Sequence, residues 1–234
     1  MFLTVLVNFL SQCIRFFYDT AASLGIPSYG LAIIIFTVLI KLVLFPLTYA
    51  QLKSTRKMQE LQPKIAELQK KFKDNPQKQQ QAVMELYKQH GTNPVAGCLP
   101  LVVQLPILFA LFTALRTFFN PVTNPSLNVA NAKFLWIPNL GEADPIILPL
   151  LAAVATFLQQ WVTMRMSGMS GRNDPTMQTQ KTMLYIMPVF MGWICRSFPA
   201  GLALYWVVYS IMSIFEQFAV RRQPQGVKGE VSVK

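Results

Sequence analysis

From Tyr29 to Tyr49 the chain reads YGLAIIIFTVLIKLVLFPLTY, an apolar run with a single charge inside it, Lys41. A hydrocarbon core of about 30 Å needs about 20 helical residues at 1.5 Å rise each. The run therefore predicts a first membrane span over residues 29–50. Further apolar runs predict a second span over 95–119, a third over 145–164, a fourth over 182–196 and a fifth over 200–220. The third and fourth are short. Ahead of them, in residues 1–24, Thr4, Asn8, Ser11, Gln12, Arg15 and Asp19 recur mostly at three- and four-residue steps. That is a polar stripe on a helix otherwise made of Phe, Leu, Val and Ile. It predicts an outer helix lying in the membrane interface. A signal peptide or signal anchor competes with this reading, although no basic segment precedes the apolar run. Gly25, Pro27 and Gly30 separate this helix from the first span.

Residues 51–93 are polar in balance and carry most of the lysines. Met58, Leu61, Ile65, Leu68 and Phe72 alternate spacings of three and four, a heptad-like seam on one helix. Asp74-Asn75-Pro76 signals a turn, and Val83, Leu86 and Tyr87 lie on one side of a second arm. The pattern predicts a helical hairpin projecting from the membrane, with Pro63 starting or kinking its first arm. Its short seam implies marginal stability and mobility. The plain alternative is a solvated charged loop that only fixes topology. The remaining connections are an outer loop over 120–144 with Trp136 at interfacial depth, a polar loop over 165–181 and a basic tail over 221–234.

Composition agrees with this layout. The chain is 53% hydrophobic and only 13% charged, which marks an integral membrane protein and not a soluble core. Its net charge of +11 sits mostly in the connections, a pattern of membrane topology and lipid-surface contact more than of nucleic-acid binding. The hairpin, the 165–181 loop and the tail share one side, so they are expected in the cytoplasm with the N-terminus outside. Cys13, Cys98 and Cys195 are widely spaced, and His90 stands alone in a polar segment. Neither a disulfide framework nor a metal site is expected. No nucleophile with its base, paired carboxylates or phosphate loop falls in the spans, so neither enzymatic chemistry nor a cofactor is expected. Glu216 is the only acid embedded in a span.

Lys41 is then the residue that needs a reason. A lysine near the bilayer centre costs on the order of 3 kcal/mol. It either snorkels to the nearer interface or serves a function. Thr37 lies four residues before it, on the same helix face. In the fifth span Trp206, Ser210, Ser213 and Gln217 recur at four, three and four, and Gln104 lies between Pro100 and Pro106 in the second. If these faces meet, they enclose a wet, positively charged cavity that an acidic or polar segment of another protein can enter. The alternatives are ordinary: Ser210 and Ser213 permit close helix packing, Trp206 packs, and Gln104 bonds a carbonyl freed by a proline.

Three segments carry a family likeness: YGLAIIIFTVLIKLVLFPLT; PKIAELQKKFKD with LYKQHGTNPVAGCLPLVVQLPI; and FPAGLALYWVVYSIMSIFEQ. In this order and spacing the chain resembles the YidC/Oxa1/Alb3 membrane protein insertases, in the five-span, Gram-positive-type bacterial form without a large outer domain. The resemblance implies an all-α membrane protein of five spans around a hydrophilic groove, open to cytoplasm and lipid. It also implies an outer amphipathic helix, a cytoplasmic hairpin needed for activity, and a place in the bacterial cell membrane. The implied function is insertion and folding of nascent membrane proteins, as a single copy, alone or beside the Sec translocon. Substrates would arrive from the ribosome or the signal recognition pathway. Lys41 falls where the family usually has arginine, Thr37 and Gln104 match groove-lining positions, Trp206 matches a substrate-facing aromatic, and Ser210 replaces a frequent asparagine. Lysine keeps the charge but loses the planar donor fork. A small channel or transporter with a cationic vestibule, or a passive assembly scaffold, are the competing functions.

Overall fold

The computed structural model describes residues 2–92, 99–119, 132–166 and 175–221. They form seven α-helices: α1 (Phe2–Ser23), α2 (Tyr29–Lys71), α3 (Pro76–Gln89), α4 (Leu99–Phe118), α5 (Ile147–Met166), α6 (Pro175–Cys195) and α7 (Ala200–Arg221). No strand is present among the described residues beyond one isolated bridge between Phe134 and Ile137. The expected closing residues Asn93 and Pro94, the first part of the outer loop, the middle of the 165–181 loop and nearly all of the tail lie outside the described residues.

By length and composition α2, α5 and α7 can cross a membrane, and Leu105–Phe118 and Lys181–Cys195 are shorter apolar stretches. Their outer faces are apolar. Leu42 and Val43 on α2, Leu150 and Val154 on α5, Ile186 and Val189 on α6, and Phe215 on α7 are all exposed. Such a surface suits hydrocarbon, where backbone groups are satisfied within each helix. Inside, α2 packs on α7, α5 on α6 and α7, and α1 on α2 and α4.

The first helix has three faces. Leu10, Ile14 and Ala21 are buried; Asn8, Gln12, Arg15 and Asp19 are exposed; and Val5, Phe9 and Phe16 are exposed as well. It is fixed by stacking of Tyr18 on Tyr29, with centroids 3.9 Å apart. Phe118 and Phe119 meet Tyr29 edge-on at 5.3 and 5.6 Å.

The second helix runs on past the expected end of the first span at residue 50, unbroken through Pro46 and Pro63, into the first arm of the hairpin. A proline removes one N–H and crowds the carbonyl four residues back; at Pro46, inside the apolar span, the other hydrogen bonds persist because lipid supplies no substitute for them. The arm turns at Asn75, whose side chain accepts from the Lys78 amide at 3.1 Å and caps α3. Leu61 and Ile65 are buried, while Met58, Leu68 and Phe72 are half-buried. The pairing is further held by Gln79 Nε2, which donates to the Gln69 carbonyl at 2.9 Å.

Residues 132–146 close one end of the helix bundle. The Ala200 and Gly201 amides, free at the start of α7, donate to the carbonyls of Glu142 and Leu140 at 2.7 and 2.8 Å. Phe134 fills the space left by the missing side chain of Gly30. Asp144 starts α5, accepting from the Ile146 and Leu148 amides at 2.9 and 3.2 Å, and takes the Trp136 indole N–H at 2.9 Å.

Candidate functional site

The packing of α2 against α7 brings Lys41 to a carboxylate. Its Nζ donates to Glu216 Oε2 at 2.8 Å and to Ser213 Oγ at 2.7 Å. It also lies 3.8 Å from the centroid of the Tyr209 ring. The ammonium thus has an ionic partner, a hydroxyl and an aromatic face. Ser213 in turn donates to the Tyr209 carbonyl at 2.9 Å. Lys41 is 4% exposed and Glu216 5%, so the amine does not snorkel to an interface.

Two expectations need correction. First, Lys41 is not an uncompensated cation awaiting a guest; Glu216, noted as the lone embedded acid, neutralises it. Second, the polar face of α7 is split. Trp206 donates through Nε1 to Thr156 Oγ1 on α5 at 3.0 Å, and Thr163 Oγ1 donates to Gln217 Oε1 at 3.0 Å. The stripe that meets Lys41 is Tyr209, Ser213 and Glu216, rotated by roughly 60° from the expected one at 3.6 residues per turn. Ser213 is common to both. The signal was available: Glu216 stands three residues after Ser213 and seven after Tyr209, one helical face.

Of the other expected residues, Thr37 is fully buried on α2, one turn before Lys41, and its hydroxyl donates to its own helix at the Ile33 carbonyl, 2.6 Å away. Ser210 is fully buried, and among the described residues neither its Oγ nor Glu216 Oε1 finds a hydrogen-bond partner. Gln104 belongs to α4, and its side chain lies outside the described residues. Thr156 and Thr163, missed in the sequence, supply the α5 side. Among the described residues no cluster of His, Cys, Asp or Glu is arranged to hold a metal ion.

An all-helical bundle with a lipid-suited exterior and a buried ion pair between its first and last long spans defines a polytopic membrane protein. The model of the 60Kd inner membrane protein family matches residues 20–227. The chain belongs to this family, that of the YidC insertases. It is 36% identical to the membrane protein insertase YidC of Caldanaerobacter subterraneus subsp. tengcongensis, over 97% of this chain and 100% of that protein. The YidC of Oceanobacillus iheyensis is 43% identical over 83% of this chain and 75% of its own length. That of Geotalea daltonii is 39% identical over 91% of this chain but only 36% of its own. A crystal structure of an active YidC insertase with its first transmembrane domain resolved superposes with a TM-score of 0.67 at 27% identity, covering 90% of this chain and 45% of that one.

Proposed function

We propose that this chain inserts and folds nascent membrane proteins in the bacterial cell membrane. The observation that carries the reading is the buried polar cluster shared by α2 and α7, in a chain that aligns with a named insertase from end to end. In this reading α2 and α7 part to admit the polar part of a guest, which then meets Lys41, Thr37, Ser210, Ser213, Trp206 and Gln104. The guest's apolar helix moves along α5 and α7 into lipid, driven by its own burial there. The N-terminus lies outside and the C-terminus in the cytoplasm, in keeping with the lysine-rich hairpin. The hairpin seam of Met58, Leu61, Ile65, Leu68 and Phe72 holds the two arms in the form that meets arriving ribosomes or the signal recognition pathway. The chain works as one copy, alone or beside the Sec translocon.

Photo-crosslinking to a ribosome-stalled membrane protein tests this. Probes replacing Thr37 and Trp206 are expected to capture the nascent chain well above a probe at lipid-facing Val189. Equal, background-level capture at all three positions would remove the reading.

A further inference from the structure

The Lys41–Glu216 pair, joined at 2.8 Å, sums to zero charge. A guest carboxylate that seeks the amine must first displace one that is already there. Glu216 uses only Oε2 for Lys41; its Oε1 is buried and accepts no hydrogen bond from the described residues. Ser210 Oγ, fully buried on the same helix, is also unpartnered. A buried carboxylate oxygen without a donor is costly and favours any N–H or O–H that reaches it.

We infer that Glu216 is a specificity-determining residue of the groove, and that the guest it favours is an uncharged segment rich in hydrogen-bond donors. Unpaired backbone amides and Asn, Gln, Ser or Thr side chains satisfy Oε1 without breaking the ion pair. Carboxylates meet repulsion from Glu216 at the place where Lys41 alone would attract them. This inference rests on the insertase reading and narrows it to a guest class.

The test uses the purified full chain in vesicles of phosphatidylethanolamine and phosphatidylglycerol, with protease protection as readout. Two guests share one apolar helix and differ only in a short translocated segment carrying two Asp or two Asn. The ratio of their insertion efficiencies cancels differences in the amount of folded protein. The unmodified chain is expected to insert the Asn guest at least as well as the Asp guest. Glu216→Gln frees the Lys41 charge and is expected to move the ratio about ten-fold toward the Asp guest. Lys41→Gln leaves the carboxylate and is expected to move it the opposite way. A preference of the unmodified chain for the Asp guest, or a ratio unmoved by either substitution, overturns the inference while leaving the insertase reading intact. Insertion of neither guest by the unmodified chain removes both.

Discussion

Trp206 on α7 donates its indole N–H to Thr156 Oγ1 on α5 at 3.0 Å, and the Thr156 hydroxyl donates to the Ala152 carbonyl at 2.7 Å. Eleven residues further along α7, Gln217 accepts from Thr163. The helices are thus tied at two levels, about 16 Å apart along α7 and about 10 Å apart along α5. Interhelical hydrogen bonds in a bilayer average about 0.6 kcal/mol and reach about 1.7. Thr156→Val keeps the shape and removes the acceptor. It is expected to lower unfolding stability in micelles by that range, with a shift in indole fluorescence, while Thr156→Ser retains both. No change with Val would show that the bond contributes nothing.

The ion pair makes a sharper prediction. Lys41→Ala leaves the Glu216 carboxylate buried without its cation, a loss of about 3–5 kcal/mol for such pairs. Lys41→Arg keeps the charge and is expected to retain most of the stability. The double change Lys41→Met with Glu216→Leu replaces the pair by apolar groups and is expected to restore stability, since buried pairs rarely outperform good packing. If the groove acts through its polar groups, the stable double variant inserts guests poorly. Denaturant unfolding in micelles and an insertion assay on the same samples separate the two effects.

Much of this arrangement was legible in the chain, for specific reasons. Lipid enforces helices, so the apolar runs and the interfacial breaks at Gly25 and Pro27 located elements directly. The hairpin seam was readable because Leu61 and Ile65 repeat at four within a polar segment, and both are buried. What could not be read was which stripe of α7 faces α2. Two polar stripes overlap at Ser213, and choosing between them needs the rotation of α7, which is set by contacts with α5 far away in sequence. Thr156 and Thr163 stayed hidden because isolated threonines in apolar helices usually bond their own carbonyls, as both also do here. That the first span and the first hairpin arm are one helix could not be read, because the change from apolar to polar composition near residue 50 marks a membrane boundary and not a helix end.

The hairpin is the part expected to open first. Its two arms share only a narrow apolar seam, and α3 contains no buried residue. Ile65→Ala removes one of the two buried seam residues. An Ile-to-Ala change in a core costs about 2–5 kcal/mol, enough to melt so small a unit. Amide hydrogen exchange across residues 76–89 is expected to accelerate strongly, while α7 keeps its protection. Slowing of both together would mean that the hairpin and the bundle unfold as one unit.

The cap formed by residues 132–146 carries a pH dependence of known sign. Burial pushes the Asp144 carboxyl up, but hydrogen bonds from the Ile146 amide, the Trp136 indole and the Leu148 and Ile147 amides outweigh it and hold it below the ordinary carboxylate range. A carboxyl lowered by folding stabilises the folded state above its unfolded value of about 3.9, and that contribution disappears as pH falls through the folded value. Protonation weakens the Trp136 bond and the cap on α5 together, because both use the same carboxylate. Trp136 is half-exposed at 44%, so its emission reports the change. Acid titration in micelles is expected to shift that emission below about pH 4, and Asp144→Asn is expected to abolish this step. A Trp136 transition that persists in the Asn variant would assign the acid sensitivity to another group.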